Sequence, residues 1–245
     1  MAYTQIRYDV ADGICTVTLN RPLKLNAFTG TMGDEIYDAF HTARASEDVR
    51  AIILTGAGSA FCAGVDMEAL ADPQEAERIV TTPLLSRFPV ENYASPKPTI
   101  CAINGAAIGI GVTMTLSFDV RIAEDDAKLA VPFTRLGMLP GLGSTWLLSR
   151  LMGRGRALDL LLSARSLSAE EVWRMGLVER VVPCGTALDV ARELAAALVK
   201  CEPQVVAGVK EAVNFGLDST LEQALENEGR LIAGLRAGKG KYGRK

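Results

Sequence analysis

Twice along this chain a short, wholly apolar run ends in a cluster of glycines, and no other feature restricts the fold as much. Ala51-Ile-Ile-Leu54 leads into Gly56-Ala-Gly-Ser-Ala-Phe-Cys-Ala-Gly-Val65-Asp66-Met67, and Thr99-Ile-Cys-Ala-Ile103 leads into Asn104-Gly-Ala-Ala-Ile-Gly109-Ile110-Gly111. A strand with no polar alternation is covered on both faces, which points to parallel pairing with crossover helices. The glycines that follow let the backbone turn sharply and present its N–H groups to a ligand. The second cluster runs into a helix-like segment, whose N-terminus favours negative charge. Two donors from separate loops would then converge on one oxygen. The same spacing also serves plain strand-to-helix turns, and periodicity does not choose between the two.

The rest of the pattern agrees with an α/β fold. Ile6–Val10 and Ile14–Asn20 flank Ala11-Asp12-Gly13, predicting an opening hairpin. Thr31 is placed to cap a helix carrying Met32, Ile36, Phe40 and Ala43 at helical spacing, and Val120-Arg-Ile-Ala123 reads as a further strand. From Leu142 onward the chain reads almost entirely helical, with capping boxes at Ser168-x-x-Glu171 and Ser219-x-x-Glu222 and stops at Gly176 and Gly216. Residues 71–95 carry the least regular pattern and read as a binding loop.

Bulk properties exclude several function classes. At 245 residues the chain closes one α/β core with a helical tail. A formal charge of −3 argues against nucleic acid, and the basic run Lys239, Lys241, Arg244 and Lys245 reads as a solvated tail. No run of about 18 apolar residues is present, and the start MAYTQIRYD lacks the halves of a signal peptide, which predicts a cytoplasmic protein that does not enter a membrane. Cys15, Cys62, Cys101, Cys184 and Cys201 are odd in number and form no C-x-x-C pair; they read as small buried hydrophobes, with no metal site implied. Gly109-Ile-Gly111-Val-Thr-Met114 lacks the third glycine of a dinucleotide fingerprint, and no Gly-Lys-Ser/Thr closes a phosphate loop. The one histidine, His41, sits in the first helix, isolated from Cys62 and from any serine nucleophile.

Six landmarks occur in order along nearly the whole chain. They are Asn20-Arg-Pro-Leu-Lys-Leu-Asn26-Ala27, Phe61-Cys-Ala-Gly-Val-Asp66, Lys97-Pro-Thr-Ile-Cys-Ala-Ile-Asn-Gly105, Asp119-Val-Arg-Ile-Ala123, Leu136-Gly-Met-Leu-Pro140 and Gly176-Leu-Val178. In this the chain resembles the enoyl-CoA hydratase/isomerase (crotonase) superfamily. The resemblance implies a spiral of ββα turns over residues 1–185, a C-terminal helical oligomerisation region over 186–245, and assembly as a trimer or hexamer. It implies an acyl-CoA thioester substrate, with coenzyme A arriving as part of that substrate and no permanently bound cofactor.

Position by position, the resemblance makes the backbone N–H groups of Val65 and Ile110 an oxyanion hole for the thioester carbonyl. Lys24, Leu25, Ala27 and Ala63 match stretches that line the CoA path, and Asp66 marks the end of that loop; Lys24 serves equally as a solvated lysine. Met67, Thr113, Phe133 and Gly141 fall in the substrate pocket. Here the chain departs from its relatives. The two hydratase glutamates are replaced by Thr113 and Phe133, and the acidic residue that isomerase-like branches carry after the proline is Gly141. Three possibilities follow: an acid or base from an unusual place, such as Glu68, Glu91 or residues 71–95; other chemistry on the same enolate, such as hydrolysis or decarboxylation; or acyl-CoA binding without turnover.

Overall fold

The computed structural model describes residues 3–239; of the basic run, Lys241, Arg244 and Lys245 lie outside the described residues. The hairpin forms as expected from β1 (Ile6–Ala11) and β2 (Ile14–Leu19). Helix α1 (Gly30–Ala45) follows and buries Met32, Ile36, Ala39, Phe40 and Ala43 on one stripe. Its cap is Thr29, not Thr31: Thr29 has the extended backbone a capping residue needs, and its hydroxyl accepts the Met32 N–H at 3.1 Å. Thr31 already lies inside the first turn and uses its hydroxyl on Glu75.

Three consecutive strand pairs then build two sheets at once. The first strand of each pair, β3 (Ala51–Gly56), β5 (Thr99–Ile103) and β7 (Val120–Glu124), joins a six-stranded sheet that runs β1-β2-β3-β5-β7-β10. The second strand of each pair, β4 (Ala60–Cys62), β6 (Ala106–Ile108) and β8 (Lys128–Ala130), joins a four-stranded sheet completed by β9 (Ser166–Ser168). Pairing is parallel from β2 through β3, β5 and β7, as the apolar runs of β3 and β5 predict. The chain therefore advances as a spiral of strand-strand-helix turns. Strands β4 and β6 fall inside the segments that read as glycine loops, so each supposed loop is a short strand with a turn at either end.

Residues 71–95 are not an irregular loop. They carry α2 (Met67–Ala71), α3 (Pro73–Thr81), α4 (Pro83–Ser86) and α5 (Phe88–Tyr93), started by Asp66, Asp72 and Thr82 caps and by prolines in the first turn. The elements are too short to show a helical period. Helix α6 (Ile110–Thr113) is a single turn between β6 and β7. The polypeptide continues through a 3-10 turn at Pro132–Leu136 into α7 (Ser144–Met152), α8 (Arg154–Ser163), β9, α9 (Ala169–Met175) and β10 (Arg180–Val182), so the stretch after Leu142 is helical with two strands in it. The Ser168–Glu171 capping box and the left-handed Gly176 stop form as expected.

Helix α10 (Ala187–Val199) lies on the six-stranded sheet through Ala187, Ala191 and Ala195, against Ala51, Ile53, Ile100, Ala102 and Ile122. Helices α11 (Pro203–Gly216) and α12 (Leu221–Lys239) pack mainly on each other. The capping pair of α12 is Thr220 with Gln223, one residue beyond the expected Ser219 with Glu222; Ser219 bonds back to Phe215 instead. Cys15, Cys62 and Cys101 are buried as expected, but Cys184 and Cys201 are exposed, because they sit at the start and after the end of α10. No described helix is long and apolar enough to cross a membrane.

Candidate functional site

The parallel pairing of β4 with β6 places Cys62 beside Ala107 and sends the two following turns out of the same edge. The turns touch. Gly64 has a φ of +101°, open to glycine, and an added Cβ would stand 3.4 Å from the Ile108 carbonyl. At Gly111 a Cβ would lie 2.4 Å from the Cys62 carbonyl oxygen, closer than any side chain allows. At the opposite end of the two strands, Asn104 ties the β5–β6 connection to the β3–β4 connection, accepting from the Gly56 N–H and donating to the Gly58 carbonyl, both at 3.0 Å.

On this platform Val65 and Ile110 behave alike. The flanking backbone of Val65 is used in a bridge to Phe28, Phe28 N–H donating to Gly64 and Asp66 N–H to Phe28, while the Val65 N–H itself meets no acceptor among the described residues. Ile110 opens α6, and its N–H likewise meets none. Ile110 is 5 % exposed and Val65 half-buried, so each is an unpaired main-chain donor at the edge of the interior. The helix-terminus argument made from sequence carries little weight here, because α6 has only one turn and its aligned dipole is correspondingly small.

The stretch holding Lys24, Leu25 and Ala27 is sewn onto the Val65 loop. Ala63 N–H donates to Leu25, Ala27 N–H donates to Lys24, and the Lys24 ammonium binds both oxygens of Glu68 at 2.8 Å. Asp66 starts α2 by accepting the Glu68 and Ala69 N–H groups and receives the Arg21 guanidinium at 2.8 Å. Burial pushes its carboxyl up, but Arg21 and the two N–H donors outweigh that and hold it below the usual range. Asn26, fully buried, donates to Ala57 and Ala60 and accepts from the Arg21 N–H. Arg21, Asn26 and Asn104 all lie within the landmark runs, yet their positioning role is tertiary; a polar residue amid turn signals is the only hint that the sequence offers.

The pocket residues divide. A Cβ on Gly109 would lie 3.8 Å from the tip of the Phe133 ring, so Phe133 borders the Ile110 turn. Thr113 closes that turn, 2 % exposed, with a hydroxyl that meets no partner. Met67 is 71 % exposed at the mouth of the Val65 loop. Gly141 is exposed, has nothing within 4 Å of a built Cβ and does not take a left-handed φ, so a side chain there meets no strain.

Neither glutamate named as an unusual acid or base is free. Glu68 is tied to Lys24, and Glu91 is held by the Tyr37 hydroxyl and by Arg44 and Arg87. Cys62 is fully buried, and that burial pushes its thiol up, away from the reactive thiolate. His41 is exposed on α1. A groove of ≈ 700 Å³ between α11 and the core is lined by residues such as Leu116, Trp146 and Val209 and shares none with this site.

Comparison with known proteins follows the same outline. The family profile of enoyl-CoA hydratase/isomerase matches residues 9–240. A Rhodobacter capsulatus protein named "Probable enoyl-CoA hydratase" is 38% identical over 235 residues, covering 94% of this chain and 89% of its own. The 1,2-epoxyphenylacetyl-CoA isomerase of Escherichia coli K12 is 37% identical, covering 89% of this chain and 85% of its own. A Thermobifida fusca YX crystal structure in complex with CoA superposes with a TM-score of 0.88 at 28% identity, covering 97% of this chain and 95% of that one.

Proposed function

Because the chain belongs to the enoyl-CoA hydratase/isomerase family, the crotonase superfamily, we propose that it binds an acyl-CoA thioester and polarises the thioester carbonyl with the N–H groups of Val65 and Ile110. The observation that carries this reading is the pair of unpaired main-chain donors on two touching turns. Donors held in place before the substrate arrives need no reorganisation as charge develops on the oxygen, and each is worth roughly 3–4 kcal/mol in the transition state. Lys24, Leu25, Ala27 and Ala63 supply the wall along which the CoA arm lies, braced by Asp66 and Arg21.

The positions that would move protons are a threonine, a phenyl ring and a glycine. A positioned acid or base typically contributes about 10²–10⁴-fold, so water addition to a short enoyl-CoA proceeds far more slowly than in a two-glutamate enzyme. That lack favours a second reading, chemistry in which the enolate itself is the main barrier, over ordinary hydration.

A panel of acyl-CoAs tests the site by thermal shift and turnover. Thioesters raise the melting temperature, by the linkage RT ln(1 + [L]/Kd), while the matching free acids do not. Ile110→Pro removes the donor where proline is tolerated, at the first residue of a helix, and abolishes turnover; Ile110→Val keeps the N–H and keeps activity. Full activity in the proline variant would place the donor elsewhere.

A further inference from the structure

Thr113 buries a hydroxyl that nothing in the ligand-free chain satisfies: the residue is 2 % exposed and Oγ1 has no hydrogen-bond partner. Two residues later Thr115 shows the ordinary solution, bonding back to the Val112 carbonyl at 2.8 Å. The carbonyl one turn before Thr113 belongs to Gly109, and it already accepts the Val112 and Thr113 N–H groups at 3.0 Å each. An unpaired buried hydroxyl is destabilising, and an isosteric valine would avoid the cost. Such a group asks for a partner that arrives from outside.

Its place says what that partner touches. Thr113 is four residues after Gly109 and three after Ile110, so it shares their face of the turn, and helix side chains lean back toward the N-terminal end. The same face is bordered by the Phe133 ring at Gly109. With the thioester oxygen on the Ile110 N–H, the acyl carbons beyond it run past Thr113, one helical turn or ~5 Å away.

We propose that Thr113 donates its hydroxyl to the second oxygen of a 3-oxoacyl-CoA, making this a site for β-keto thioesters in preference to unsubstituted acyl groups. This rests on the acyl-CoA reading of the site. A β-keto thioester gives up an α proton far more readily than a simple thioester. The α C–H bond breaks, the proton passes to solvent water, and the electron pair left on carbon is shared by two carbonyl oxygens. Val65 and Ile110 hold the thioester oxygen; Thr113 holds the keto oxygen. Such an acyl group makes little demand on a strong base, and a hydroxyl and a phenyl ring provide none.

Calorimetric titration with acetoacetyl-CoA and butyryl-CoA tests the assignment, with α-proton exchange in D₂O followed by NMR as a second readout. The unaltered protein binds acetoacetyl-CoA about tenfold more tightly, the effect of one well-placed hydrogen bond in a dry site. Thr113→Val removes that preference, weakening acetoacetyl-CoA about tenfold relative to butyryl-CoA, and slows exchange; Thr113→Ser keeps most of both. The valine variant melts no lower than the parent, which separates lost recognition from lost fold. Equal binding of the two thioesters by the parent, or a preference that survives in Thr113→Val, overturns the assignment and leaves the acyl-CoA site standing. If neither thioester binds, the acyl-CoA reading falls and the assignment falls with it.

Discussion

At the scale of single residues, the Val65 donor is aimed by its neighbour. Asp66 is fixed by Arg21 and by two N–H groups of α2, and its side chain is only 7% exposed, so solvent screens the pair weakly. Asp66→Asn keeps the shape and removes the charge, and we expect a loss of about 1–3 kcal/mol in stability together with weaker acyl-CoA binding. The carboxyl is held below its ordinary pKa of ~3.9, so its contribution is complete above that value and disappears as pH falls through the folded-state pKa. Urea melts at pH 3 and pH 6 check the sign: the parent loses the contribution on acidification, and the asparagine variant, already without it, changes less. A variant with parent stability at pH 6 would show that the pair is ornamental. Much of this residue-level detail was legible only in part. The positions of Val65, Ile110, Thr113, Phe133 and Gly141 follow from ordered landmarks in the sequence, whereas the empty hydroxyl of Thr113 is a matter of packing, and the hold of Asn26 on two carbonyls depends on residues 31 and 34 positions away meeting it in space.

Among the elements, the two shortest strands matter most. The runs that became β3 and β5 were readable because a strand buried on both faces carries almost no polar interruption, while β7 was readable in spite of its buried Arg121 and Glu124, and the spiral was expected from the resemblance. Strands β4 and β6, three residues each among glycines, have too few positions for any period to show, yet their pairing sets the spacing of the two donor turns. Four short helices over residues 67–93 escaped for the same reason: α2 is announced by its Asp66 cap, α5 by a proline, and α3 and α4 by both, none by an apolar stripe. The closeness of β4 to α6 is measurable through Gly111. Gly111→Ala drives a methyl into the Cys62 carbonyl, so the α6 turn must back away from β4; we expect the melting temperature to fall by several degrees and turnover to fall by at least tenfold. Parent-like turnover in a folded Gly111→Ala protein would mean that the donor spacing is not critical.

Over the whole molecule, the unevenness lies at the C-terminal end. Helix α10 belongs to the packing of the six-stranded sheet, but α11 buries no residue fully, and Val209, Val213, Leu217, Leu221, Leu225 and Ile232 stand 49–73% exposed along α11 and α12. So much apolar surface on adjacent helices is typical of a face that meets other protein. By its family resemblance we expect that face to join copies of this chain into trimers or pairs of trimers; sedimentation equilibrium should return three or six chain masses, and a monomer at micromolar concentration would refute it. The two main-chain donors have a different kind of security. Val65 and Ile110 offer main-chain atoms, which every amino acid except proline also carries. Nearly any single replacement at those two positions leaves the N–H in being, and the constraint falls instead on their neighbours Gly64, Asp66, Gly109 and Gly111. If the proposed role of these donors holds, the grip on a carbonyl outlasts replacement of either donor's side chain, and the reaction performed on what is gripped is open to reinvention.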